Sequence, residues 1–252
     1  MIVQSETWGN IPLLHIYNEQ TKINSPIIIF LHGFESAKEH NLHYAYQLVN
    51  SGCRVILPDA HLHGERDENL DQVEISLRFW ETVLTSIEEV GKLKQELNNR
   101  GYGNEQKIGI AGTSMGGITT LGCLTAYPWI DAAAIMMGTP GYVQLAKAQI
   151  EQFELKGFKI PLNSEEKDNM FQTLSTFDAS IHMKNLENKP LFFWHGVKDQ
   201  VVPFEPTAYF IESYVKQFGN ENLVFIKDKS AGHAVTRKGL LEVTKWLANN
   251  LA

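Results

Sequence analysis

Apolar residues along this chain gather into short blocks of two kinds. The first kind is a run without polar alternation: PIIIFLHG (26–33), CRVILPD (53–59), KIGIAG (107–112), AAAIMMG (132–138) and PLFFWHG (190–196). Such runs are too short for helices, and they read as strands buried on both faces of a parallel sheet. A polar-rimmed run, LVFIKD (223–228), continues the series. Ahead of them lie two extended candidates, 1–8 and 11–17, separated by Gly9-Asn10. That dipeptide takes positive φ readily and suits a hairpin turn, so an antiparallel edge is expected to open the chain.

The second kind of block has helical spacing. It covers roughly 38–51, 73–100 (Val73, Leu77, Trp80, Leu84, Ile87, Leu97), 115–127, 205–218 and 235–251. Strand and helix therefore alternate from residue 26 onward, which is the pattern of an α/β chain whose parallel strands need helical crossovers. Ligands of such folds sit beyond the carboxyl ends of the strands, and functional residues should follow strands. One crossover, 141–189, is far longer than a single helix requires and predicts a lid or cap. Within it Met170, Leu174, Phe177 and Ile181 step as an amphipathic helix, with Asn163 and Glu166 placed to cap its start.

Length and composition narrow the class. The 252 residues suit one α/β domain over 1–252, and 43% hydrophobic with 20% charged residues is ordinary for a globular protein. A net charge of -7, from 22 basic against 29 acidic residues, argues against nucleic acid as a partner. Cys53 and Cys123 stand in apolar contexts without CxxC spacing, so neither a disulfide framework nor a zinc ribbon is expected. The first residues show no basic-then-apolar leader and no run reaches membrane-span length, so a soluble, cytoplasmic protein is expected.

The candidate chemistry begins at Gly112-Thr113-Ser114-Met115-Gly116, directly after one buried run and directly before a helical stretch. This is the context of a G-x-S-x-G nucleophile elbow: a turn too tight for side chains two positions either side, with the serine strained and presented at the sheet's edge. A hydroxyl is a poor nucleophile until an imidazole takes its proton. In elbow folds the order is serine, acid, histidine, and of the nine histidines only His233, in the loop after 223–228, lies late enough. Asp199, just past the run 190–196, is the acid in the expected place, with Asp178 as the substitute.

Together HGFES (32–36), PDAHLHGER (58–66), GTSMGG (112–117), PLFFWHGVKDQVVP (190–203) and SAGH (230–233) resemble the α/β-hydrolase superfamily. More narrowly they resemble small bacterial carboxylesterases of the dienelactone hydrolase and prolyl oligopeptidase-like branch. The resemblance implies an α/β-hydrolase fold: a mostly parallel central sheet with helices on both faces and a small helical lid. It implies a catalytic triad of Ser114, Asp199 and His233, and an oxyanion hole from the backbone N–H groups of Phe34 and Met115. Each such donor commonly contributes about 10²–10³ in rate. The implied reaction is hydrolysis of a small, short-chain acyl ester through an acyl-enzyme, with no metal and no organic cofactor.

Competing readings of the same residues stay open. A peptidase or amidase, or a ligand receptor with vestigial hydrolysis, fits the same fold, and nothing indicates the oligomeric state. His61 and His63 after a strand could offer two imidazoles to zinc, but no later ligand cluster completes such a site; a polar network of Asp59, His63 and Arg66 beside the cleft is the plainer reading. His40 and His43 read as solvated, and Trp80 and Trp194 as core. Tyr142 and Phe171, with Phe34 and Met115, are candidates to line an acyl pocket, although a lid face packing on the core needs the same residue types.

Overall fold

In the computed structural model, which describes residues 1–102 and 106–252, the chain opens with a hairpin of β1 (Ile2–Trp8) and β2 (Ile11–Tyr17). Gly9 takes φ 62° at the turn, and Trp8 pairs with Ile11 across it. The buried runs then form β3 (Ile27–Leu31), β4 (Arg54–Pro58), β5 (Ile108–Thr113), β6 (Ala132–Met136), β7 (Leu191–Gly196) and β8 (Leu223–Asp228). All eight strands join one sheet in the order β1-β2-β4-β3-β5-β6-β7-β8. The pairs β1–β2 and β2–β4 are antiparallel and the rest parallel, so the hairpin forms the antiparallel edge.

Helices cover both faces, as the alternation of each strand requires. On one face Ile27, Ile29, Ile108 and Ile110 pack with α3 (Phe79–Asn99), α4 (Met115–Ala126) and α7 (Phe204–Phe218). On the other, Ile28, Phe30 and Val55 pack with α1 (Leu42–Asn50) and α8 (Arg237–Leu251). The helix α4 is buried nearly all round, which explains why its sequence, MGGITTLGCLTA, carries no charge. Among the described residues no helix is long and apolar enough to cross a membrane.

Two expected helices are broken. The stretch 38–51 begins as a 3₁₀ turn, Lys38–Asn41, before α1. The stretch 73–100 splits into α2 (Gln72–Leu77), started by a capping box of Asp71 and Glu74, and α3. Arg78 joins them at φ -95°, ψ 12°, its guanidinium held by Glu81 and Glu68. Between β6 and β7 lie α5 (Tyr142–Leu155) and α6 (Ser164–Phe177), the latter opened by the expected Asn163–Glu166 capping box. Ile181 falls beyond α6 and is exposed rather than continuing its apolar stripe.

Candidate active site

Ser114 links β5 to α4 at φ 54°, ψ -118°, a conformation that a non-glycine residue adopts only when its surroundings hold it. Its N–H donates to the Met136 carbonyl at 2.8 Å, and its own carbonyl accepts from Ile118 at 2.9 Å. The flanking glycines are obligatory on steric grounds. A Cβ at Gly112 would overlap the backbone of Gly116, and one at Gly116 would overlap the Leu31 carbonyl at the end of β3. The close crossing of β3, β5 and α4 thus presents the Ser114 hydroxyl above the carboxyl ends of the strands.

The Ser114 hydroxyl lies 2.8 Å from His233 Nε2, and His233 Nδ1 lies 2.7 Å from Asp199 Oδ2. With Nδ1–H donating to the carboxylate, Nε2 is free to accept the serine proton. Asp199 has a fully buried side chain, and its Oδ1 accepts from Val201 N–H at 2.9 Å and Val202 N–H at 3.0 Å. One oxygen thus fixes the turn after β7 while the other meets the imidazole. Burial raises its pKa, but hydrogen bonds with His195, His233 and the Val202 N–H outweigh that effect and hold it well below the usual carboxylate range.

The loop that carries His233 is organised by Asp228 at the end of β8, which accepts from Ser230 and Ala231 and from the Thr236 hydroxyl. Lys198 N–H donates to the Ala231 carbonyl at 3.0 Å, tying this loop to the one bearing Asp199. His195, which ends a buried strand run, escaped the sequence reading. It is fully buried, donates Nε2–H to the Val202 carbonyl at 2.9 Å, and stands 3.4 Å from Asp199 Oδ2. The substitute acid, Asp178, is committed elsewhere: it accepts from Val143 N–H at the start of α5 and from Ser180.

Met115 is the first residue of α4, where backbone N–H groups have no intrahelical acceptor. Phe34 lies in the loop after β3 and lines the same cleft as Ser114 and Met115. Two hydrogen bonds fix that loop through His32, whose Nδ1–H donates to the Gly33 carbonyl and whose Nε2 accepts from Ala60 N–H at 2.9 Å. Burial drives the His32 pKa down to about 4, so the ring is neutral as this pattern demands. A third tie is the buried Lys38, whose ammonium meets Asp59 at 2.6 Å and Glu65 at 2.8 Å.

The cleft over Ser114 measures about 220 Å³ and is walled by Phe34, Phe79, Met115, Ile118, Val201, Val202 and residues of α5. Tyr142 and Phe171 are not among its lining residues. Tyr142 is wholly buried, its hydroxyl donating to the Ile118 carbonyl beneath the elbow helix. Phe171 packs against the core with the Lys147 ammonium 5.2 Å from its ring centre. Their apolar character belongs to packing. His61 and His63 do not converge: His61 meets Glu81 and His63 donates to the His61 carbonyl. Among the described residues no group of three or more His, Cys, Asp or Glu is arranged to hold a metal ion. Of the expected network of Asp59, His63 and Arg66, the structure forms one link, from Arg66 to the Asp59 carbonyl, while His63 bonds elsewhere; Arg66 also forms a two-pronged bond to Glu89.

This eight-stranded, mostly parallel sheet with a serine at a strand-to-helix elbow is the α/β-hydrolase fold, and the chain belongs to the prolyl oligopeptidase family, whose profile matches residues 60–252. The Bacillus subtilis (strain 168) protein that carries the name "Putative esterase YitV" is 43% identical over 252 residues, covering 99% of each chain. "Esterase YjfP" of Escherichia coli (strain K12) is 29% identical over 226 residues, 88% of each chain. Among solved structures, TT1662 from Thermus thermophilus superposes with a TM-score of 0.74 at 20% identity, covering 100% of this chain and 99% of that one. That last likeness concerns the fold alone.

Proposed function

We propose that this protein is a serine carboxylester hydrolase acting on small, short-chain acyl esters, with Ser114 as nucleophile, His233 as general base and acid, and Asp199 as the residue that orients the imidazole. The observation that carries the reading is the unbroken path of 2.8 Å and 2.7 Å from the Ser114 hydroxyl through His233 to Asp199, opening into an apolar cleft. The relatives named as esterases support it.

In this mechanism His233 Nε2 takes the Ser114 proton as Oγ attacks the ester carbonyl. The Phe34 and Met115 N–H groups hold the oxyanion, and the start of α4 adds its dipole. His233 then gives the proton to the departing alkoxide and activates the water that releases the acid. The chain acts as one α/β-hydrolase domain, with 141–189 as its cap: α5 contributes Leu145, Gln149 and Phe153 to the cleft wall.

A cleft of about 220 Å³ lies below the ~300–1,000 Å³ typical of sites for drug-sized ligands, which favours short acyl chains. The test is hydrolysis of nitrophenyl esters from acetyl to decanoyl beside a matching nitroanilide. Turnover that is highest for acetyl to butyryl and at least tenfold lower for decanoyl supports the reading. Preference for the anilide would assign the site to amide bonds, and a single slow event per molecule on every compound would make it a receptor.

A further inference from the structure

Gln149 of α5 stands in the cleft wall, and its amide is oriented by a residue outside the proposed machinery. Trp80 Nε1–H donates to Gln149 Oε1 at 2.8 Å. An indole N–H is a donor only, so the oxygen faces Trp80 and the NH₂ group faces away from it. That NH₂ has no hydrogen-bond partner among the described residues. Trp80 is itself nearly buried, with its ring centre 5.0 Å from the Tyr142 ring and 5.3 Å from that of Phe79, so the orienting donor is fixed.

The rest of the cleft sets the kind of group this donor can meet. Its lining holds no charged side chain, being aromatic and aliphatic apart from Ser76, Ser114, Gln149 and Gln152. The Ser76 hydroxyl donates to the Gln72 carbonyl within its own helix turn. Beyond Gln149 a smaller hollow of about 50 Å³, lined by Trp80, Ile160 and Met170, shares Ser76, Gln149 and Phe153 with the cleft. Gln149 therefore marks the junction between the space over the nucleophile and the space beneath α6.

We propose that Gln149 is a specificity-determining residue whose NH₂ donates to an acceptor oxygen of the substrate beside the scissile ester, so that the site takes uncharged esters bearing an ether, hydroxyl or second carbonyl oxygen over purely hydrocarbon ones. This rests on the esterase reading above. A donor that bound substrate screens from water discriminates more strongly than additional apolar contact, because the hydrocarbon analogue leaves it without a partner.

The test uses isosteric pairs in which one CH₂ becomes an oxygen: nitrophenyl butyrate with nitrophenyl methoxyacetate on the acyl side, and butyl acetate with 2-methoxyethyl acetate on the alcohol side. Intrinsic reactivity cancels when the oxygen-to-hydrocarbon ratio of kcat/KM is compared between wild type and Gln149→Leu. In one of the two pairs the ratio falls about 3- to 10-fold in Gln149→Leu, as one net hydrogen bond implies. It falls also in Trp80→Phe, where the amide loses its orientation. Gln149→Met repeats the removal with a flexible side chain should Leu disturb α5. Ratios within twofold of wild type for both pairs in the Gln149 variants overturn the inference while leaving the esterase reading intact. No turnover of any of the four esters by wild type overturns the esterase reading, and this inference with it.

Discussion

Replacing Lys38 with Met removes one partner of a buried ion pair while keeping an unbranched side chain only one atom shorter. The Lys38 side chain is 1% exposed, and its ammonium bonds Asp59 at 2.6 Å, Glu65 at 2.8 Å and Glu39 at 3.1 Å. Burial pushes it toward neutrality, but these carboxylates outweigh burial and keep it charged. Asp59 is fully buried, and among the described residues it would keep, without Lys38 Nζ, the N–H groups of Lys38 and Glu65 as its carboxylate's donors. Stripping one partner from such a pair costs about 3–5 kcal/mol, a large part of the ~5–15 kcal/mol that holds a native protein together. For a domain of this size that lowers Tm by roughly 6–20 °C. The pair also joins the loop bearing Phe34 to the loop after β4, so ester turnover per folded molecule should drop as well. Circular dichroism melts, with hydrolysis at 25 °C, measure both. The exposed Lys238–Glu242 pair, at 3.8 Å, is the control: Lys238→Met should lower stability by no more than ~1 kcal/mol. The double variant Lys38→Met/Asp59→Asn should recover part of the loss. A Tm for Lys38→Met within 2 °C of wild type would refute the reasoning.

Three further outcomes follow from the geometry. Gly116→Ala should cost about 3 kcal/mol or more and abolish turnover, since the new carbon meets backbone that cannot yield; in Gly33→Ala it has 3.5 Å to its nearest neighbours, so equal melts for the two would contradict the packing. The unfolded chain protonates His32 near pH 6.5 while the folded protein resists down to about 4, so stability is lost as pH falls through this window. Its share between pH 7 and 4.5 is about 2 kcal/mol, and the drop in denaturation free energy should shrink by that much in His32→Asn; Asp199, held low, adds a further loss below about pH 4. Asp199→Asn should retain the Val201 and Val202 bonds and the fold while kcat falls about 10⁴-fold, and a loss under tenfold would remove Asp199 from the mechanism.

The central strands were legible because both faces are buried, which leaves unmistakable apolar runs such as Ile27 to Leu31. The elbow was legible because its sterics demand glycine at 112 and 116. What escaped were long-range partners that give no local signal. Lys38 sits in the polar stretch SAKEHN with no local sign of burial, and the return of β4 beside β3 brings Asp59 to it. Arg54 opens an apolar strand yet is buried, with its guanidinium 4.1 Å from the Tyr102 ring centre and 2.6 Å from His15 Nε2. Tyr142 illustrates the converse: a large aromatic in a crossover fits a ligand wall or a core equally well by type, and its bond to Ile118 decides for the core.

The most direct measurement is the intact mass of the protein after incubation with a fluorophosphonate, for wild type, Ser114→Ala and His233→Gln. One adduct per wild-type molecule, none on Ser114→Ala and strongly slowed labelling of His233→Gln are expected if the 2.8 Å contact between Ser114 and His233 activates the hydroxyl. An adduct that persists in Ser114→Ala, or a wild-type protein that takes up none, would contradict the assignment of Ser114 as the nucleophile.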